Sequence, residues 1–179
     1  MITIFEGPRN SGKTFLANKF SDINSSKIFK FDFVGWFNNL ALEDNSEATH
    51  LFALGKEAML LQLNRDGMLP DFVLDRGFLT VLTWGVLSGR ISEEKAKSHL
   101  TILAEKGLLK NCRIVYVKGD NPSKKSRNKD NWDHRDGTTD EEQIMENLRD
   151  VICNQPYNVE TIFLYNSFDD KIIRDLEKL

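Results

Sequence analysis

Short apolar runs alternate along this chain with longer amphipathic stretches. Ile2 to Phe5 is a compact β-rich run, and Lys27 to Phe33 alternates apolar with polar residues. Phe72 to Leu74, Arg113 to Val117 and Thr161 to Tyr165 read as further strands. Helical stretches lie between them. Thr14 to Phe20 reads as one. Ser46 is a plausible N-cap for a long helix to about Asn64, with Leu51, Phe52, Leu54, Met59 and Leu63 near helical spacing. Gly67 and Pro70 then break the chain. Phe78 to Leu87 returns to a helical pattern, and Ser92, followed by Glu93 and Glu94, opens a helix that stops near Gly107. Thr139 and Glu142 form a capping-box pair before a helix ending near Cys153, and Asp169 to Leu179 is the last helix. Strands separated by helices imply parallel pairing with helices on both faces of a sheet.

The bulk numbers fit that picture. A chain of 179 residues suits one domain, expected to span 1–179. Hydrophobic residues make up 40 % and charged residues 28 %, ordinary values for a soluble globular protein. A net charge of −3 provides no global basic field for nucleic acid. No apolar run approaches the roughly 20 residues needed to cross a bilayer, and no leader pattern opens the chain. Cys112 and Cys153 show no metal spacing, so a reduced, cytoplasmic setting is expected. The segment 119–138 differs from its surroundings: it is polar, it carries Lys124, Lys125, Arg127, Lys129 and Arg135, and its one large apolar residue is Trp132. Long polar loops in compact domains are commonly functional or disordered.

The most specific signal is Gly7-Pro8-Arg9-Asn10-Ser11-Gly12-Lys13-Thr14, placed between an apolar strand and a helix. Gly7 and Gly12 let the backbone curl until its N–H groups converge on phosphate oxygens, and the following helix adds its N-terminal partial charge. Asn10, Ser11 and Gly12 supply such N–H groups. Lys13 would neutralise terminal phosphates and Thr14 would ligate Mg²⁺ through its hydroxyl. The expected fold is therefore the α/β, three-layer P-loop NTPase fold, with a five-stranded parallel sheet.

A P-loop alone does not name a reaction. Asn128-Lys129-Asp130 lacks the spacing and preceding strand of a guanine-reading motif, and no strand ends in the paired acids of a motor ATPase. The third strand ends instead as Asp75-Arg76, at the sheet edge where open α/β sheets bind ligands. Asp75 would support Mg²⁺ or its water shell, and Arg76 would grip a phosphate in fork geometry. Asp32 ends the second strand at the same edge, suited to orient or deprotonate an acceptor. Trp36 follows it and would wall a flat substrate.

With those residues in place, the chain resembles the thymidylate kinase and deoxynucleoside kinase group. Ile4 to Thr14 resembles that group's opening strand and P-loop. Leu51-Phe52-Ala53-Leu54-Gly55-Lys56 resembles its helix with Phe-Ala and then a basic residue, and Phe72 to Gly85 resembles its Asp-Arg-Tyr segment with the next helix. The resemblance implies ATP and Mg²⁺ as cofactors and a nucleotide or nucleoside as acceptor. It implies that Phe52 faces the base, Lys56 and Arg76 contact the acceptor, and Thr80 and Trp84 line the base side. It makes Lys124 to Arg135 a mobile lid, with Arg127 and Arg135 as its leading cations. The chain departs from the group's pattern at Arg9, where thymidylate kinases commonly carry an acid, at Gly77 in place of an aromatic, and at Lys56 in place of an arginine. Arg9 is a candidate catalytic cation, placed like an internal arginine finger.

Two other readings stand beside this one. A compact loop after the second strand also resembles polynucleotide kinases, which makes a hydroxyl on DNA or a modified base an alternative acceptor. A P-loop regulator without transfer activity is the other. The helix from Ala48 to Leu63 is compatible with a homodimer contact, and a core role explains it equally well. His50, His99 and His134 form no recognisable cluster in the sequence.

Overall fold

The computed structural model describes residues 1–9, 11–30, 47–119, 139–154, 156–166 and 170–179, without the side chains of Thr49, Thr139 and Asp170. Asn10, Asp32, Trp36, Ser46, His134 and the basic segment with Arg127 and Arg135 lie outside the described residues. So do the end of the predicted second strand, Phe31 to Phe33, and the Thr139 side chain on which the predicted capping box depends.

Five strands, β1 (Ile2–Glu6), β2 (Lys27–Lys30), β3 (Phe72–Asp75), β4 (Cys112–Lys118) and β5 (Glu160–Tyr165), form one sheet in the order β2-β3-β1-β4-β5. All four pairings are parallel. The helices are α1 (Lys13–Asn24), α2 (Glu47–Arg65), α3 (Phe78–Leu87), α4 (Glu93–Glu105), α5 (Thr139–Cys153) and α6 (Asp170–Leu176). Central strands covered on both faces read as mainly apolar runs, and every residue of β1 and β3 is buried, Thr3, Glu6 and Asp75 included. Their side chains alternate between two cores. Ile2, Ile4, Phe72, Leu74, Ile114 and Tyr116 meet helices α2 to α5, while Phe5, Val73, Val115 and Val117 meet α1 and α6. This is the expected three-layer fold. Ser92 caps α4 as expected, its hydroxyl accepting from the Lys95 N–H at 3.2 Å.

The buried face of α2 differs from the expected one. His50, Ala53, Leu54, Glu57, Leu61 and Asn64 point inward, whereas Leu51, Phe52 and Met59 are exposed. Apolar residues nearly encircle this helix, so periodicity could not select a face. Two inward polar residues have partners that do. The Asn64 amide donates to the carbonyls of Leu69 and Pro70 at 3.1 and 3.0 Å and accepts from Asn111 at 3.0 Å. Glu57 serves α3, as described below. The histidines also depart from expectation: the rings of His50 and His99 stack at 6.1 Å. Burial lowers the pKa of both, that of His50 to about 4.

Helix α3 starts deep in the protein, where unpaired N–H groups are costly. Gly77 precedes it and has no side chain to cap it. Two distant carboxyls do so instead. Glu57 Oε1 accepts from the Phe78 N–H at 2.8 Å, and Glu6 Oε1 accepts from the Leu79 N–H at 2.9 Å. The Thr80 hydroxyl donates to Glu6 Oε2 at 2.5 Å. Burial pushes the pKa of Glu6 up and that of Glu57 far up, the latter helped by the neighbouring Glu6 charge. Gly77 is required by this packing: a Cβ there would stand 2.6 Å from Glu57 Oε1 and 2.7 Å from Ile4 Cγ2. Its departure from an aromatic thus goes with the buried Glu57.

Gly77→Ala is expected to lower unfolding stability by about 1–3 kcal/mol through overpacking, read from denaturant titrations. Glu57→Gln is expected to change the pH dependence of stability. The folded protein holds the Glu57 proton more tightly than the unfolded chain, so its contribution falls as pH rises above the ordinary 4.5. The variant should gain on the parent progressively from that pH upward in thermal melts; a gap independent of pH would contradict the account.

Candidate functional site

The P-loop leaves β1 at Glu6 and enters α1 at Lys13. Gly7 adopts φ +142°, and a Cβ on it would lie 2.2 Å from the Val117 carbonyl oxygen of β4. Gly12 adopts φ +86° and turns the chain into the helix. Both glycines are therefore needed for the curl. Asn166, at the end of β5, donates from its side-chain amide to the Ser11 carbonyl at 2.9 Å and pins the loop from behind. Ser11 is buried, and its hydroxyl has no hydrogen-bond partner among the described residues.

Lys13 is buried and folds back over the loop, its ammonium donating to the Pro8 carbonyl at 2.9 Å. Burial lowers its pKa to about 8, and the Arg76 charge pushes the same way, against Glu141, Glu6 and Asp75. A phosphate anion would reverse that shift. Next to it, the Thr14 hydroxyl donates to Asp75 Oδ1 at 3.1 Å. This hydroxyl–carboxylate pair fits a small hard cation with oxygen ligands, so Thr14 and Asp75 are the residues suited to hold Mg²⁺. No group of three or more His, Cys, Asp or Glu side chains gathers as a metal cage among the described residues.

Arg76 follows Asp75 in a left-handed conformation, φ +73°, with its N–H donating to the Phe5 carbonyl at 3.0 Å. Such a conformation is unfavourable for a residue with a Cβ and concentrates at functional sites. Arg9 stands at the mouth of the loop. Its guanidinium carbon lies 3.7 Å from the centre of the Trp84 ring, and its backbone N–H donates to Glu141 Oε1 at 3.3 Å.

The structure thus gathers Arg9, Ser11, Lys13, Thr14, Asp75 and Arg76 at the carboxyl edge of the sheet, with Trp84 against Arg9. Phe52 and Lys56 lie together on the outer side of α2, the ammonium 5.2 Å from the ring centre. Thr80 is corrected: it is 2 % exposed and its hydroxyl serves Glu6, so it supports α3 and does not face a ligand. Four residues absent from the sequence expectations belong to the site or its frame: Glu6, Glu57, Glu141 and Asn166. An acid in a helix's first turn, such as Glu141, is too common to single out.

No protein-family model matches the chain, and no curated protein is similar to it in sequence. Solved structures are similar in fold. The YorR protein from Bacillus subtilis, in complex with phosphorylated GDP, is 18 % identical, with 98 % of this chain and 93 % of that one covered and a TM-score of 0.56. A deoxyadenosine kinase from M. mycoides with bound dATP is 14 % identical, covering 98 % and 96 %, with a TM-score of 0.56. A thymidylate kinase from Candida albicans is 17 % identical, covering 99 % and 89 %, also with a TM-score of 0.56. With the sheet order and the loop at its edge, these likenesses show that the chain has the α/β P-loop NTPase fold.

Proposed function

We propose that this chain is an ATP-dependent phosphotransferase acting on a nucleotide or nucleoside. The observation that carries the reading is the Thr14–Asp75 hydrogen bond beside Lys13, which brings a hydroxyl, a carboxylate and an ammonium together at the glycine-rich loop. The fold likeness to a deoxyadenosine kinase and a thymidylate kinase supports the same class.

In this reading ATP lies along Gly7, Asn10, Ser11, Gly12, Lys13 and Thr14. The bond from the γ-phosphorus to the β–γ bridging oxygen breaks, ADP leaves with the electron pair, and a new bond forms to the acceptor oxygen. Asp32 takes the proton if the acceptor is a hydroxyl; a phosphate acceptor needs no base. Thr14 and Asp75 would hold Mg²⁺, which would supply charge neutralisation for the phosphates. Arg9, Arg76, Arg127 and Arg135 offset charge on the group in flight, and the segment 119–138 closes as a lid. Phe52, Lys56, Trp36 and Trp84 line the acceptor. No helix among the described residues is long and apolar enough to cross a membrane; a cytoplasmic setting belongs to this proposal.

Mass detection of products from ATP and a panel of nucleosides, nucleotides and oligonucleotides tests the reading. Transfer to a free nucleotide or nucleoside, lowered on the order of a hundredfold or more by Lys13→Ala, is expected. Full transfer by that variant would sink it, and transfer to oligonucleotides alone would make DNA the acceptor.

Lys13 also predicts a pH effect. The bound phosphate holds its proton more tightly than the empty loop does, so nucleotide affinity should fall as pH rises above about 8. Calorimetry at that pH should show proton uptake, as a buffer-dependent binding enthalpy, that disappears in Lys13→Arg. Uptake of equal size in that variant would contradict the assignment.

A further inference from the structure

Among the described residues, two elements outside the P-loop, α3 and α5, contact Arg9. The guanidinium carbon stands 3.7 Å from the centre of the Trp84 indole on α3. A guanidinium turned edge-on would drive its hydrogens into the ring at that separation. Its plane therefore lies along the indole, and its donors radiate sideways. From α5, Glu141 accepts the Arg9 backbone N–H at 3.3 Å and brings its second oxygen to 4.0 Å from Arg9 Nε.

Glu141 differs from its neighbours in the acidic first turn of α5. Asp140 is exposed, and Glu142 pairs with Lys118 at 3.2 Å. Glu141 turns inward, with its side chain 5 % exposed. A buried carboxylate is stable only where specific donors and charges answer it. Among the described residues those include the amide and guanidinium of Arg9, with Lys13 near enough for Glu141 to raise its proton affinity.

The geometry points to Glu141 as a positioning residue for phosphoryl transfer. It seats Arg9 against Trp84, so that the guanidinium meets the anionic oxygens of the group in flight already oriented. An arginine free to wander would have to be ordered during the reaction, whereas a seated one is not. In this role Glu141 acts through Arg9, which it contacts. The role rests on the phosphotransferase reading; the seat itself does not.

Two measurements test it. The first compares Arg9→Ala, Glu141→Ala and the double variant with the parent. Each single change is expected to lower kcat/KM for the acceptor by about 10- to 100-fold, with the double variant no worse than Arg9→Ala, because the two residues act as a unit. The ATP dissociation constant should change little. Glu141→Gln, which keeps an acceptor for the Arg9 amide, should recover part of the loss and guards against simple misfolding of the alanine variant. The second is independent of catalysis. With Trp36 and Trp132 replaced by Phe, Trp84 is the one remaining indole. Arg9→Ala and Glu141→Ala should then shift its emission alike.

Losses that multiply in the double variant would overturn the proposal. So would tighter ATP binding in Glu141→Ala, which would mean that the carboxylate merely sits where a phosphate belongs, or unchanged Trp84 emission in that variant. A parent that transfers phosphate to no acceptor would overturn the functional reading and the transfer role with it, while the emission of Trp84 would still report whether Glu141 seats Arg9.

Discussion

Phe5 of β1 lies opposite Asp75 of β3 in a parallel ladder, and Lys30 of β2 pairs with the same Asp75 from the other side. The chain leaves β1 immediately afterwards to form the P-loop, so this register decides which carboxylate meets Thr14 on its return in α1. A slip of one residue would turn Asp75 to the opposite face of the sheet. The same register lets the Phe5 carbonyl accept the Arg76 N–H, which bends the chain after β3 into α3. The Thr14–Asp75 pair, the strained arginine and the start of the helix carrying Trp84 all descend from that one strand pairing.

Among the buried ionisable side chains around this edge, Glu6, Glu57 and Lys13 are shifted by burial, with different consequences. Glu6 and Glu57 are pushed toward their neutral forms and cap a buried helix end. By perturbation alone they would pass for catalytic acids, yet their oxygens accept from the α3 backbone and not from a cleft. Lys13 is lowered to about 8 because burial and Arg76 both oppose its charge. An anion relieves that opposition, which is what makes it suited to phosphate. The two carboxyls support the frame, and the lysine waits for a ligand.

Much of this was legible in the sequence, for identifiable reasons. Buried parallel strands are predominantly apolar, so β1, β3 and β4 stood out despite Thr3, Glu6, Asp75, Arg113 and Lys118, and Ser92 announced α4 because its hydroxyl caps locally. The P-loop was legible because Gly7 faces the Val117 carbonyl with no space for a Cβ. What failed depends on partners distant along the chain. Glu57 lies 21 residues from the amide that it caps, and Glu6 lies 74 from the Thr80 hydroxyl. Neither separation leaves a local pattern, so Thr80 was assigned to a ligand and the buried face of α2 was misjudged. Glu141 meets Arg9 across 132 residues, beyond any motif.

The central claim is that a cation and a nucleotide phosphate share the Thr14–Asp75 edge of the P-loop. A crystal structure with Mn²⁺ and a non-hydrolysable ATP analogue, read at the manganese anomalous signal, tests it most directly. The account predicts one peak about 2–2.3 Å from Thr14 Oγ1, within direct or one-water reach of Asp75, with phosphates cradled by Gly7 to Thr14. A nucleotide bound away from that loop, or a metal peak remote from both residues, would contradict it.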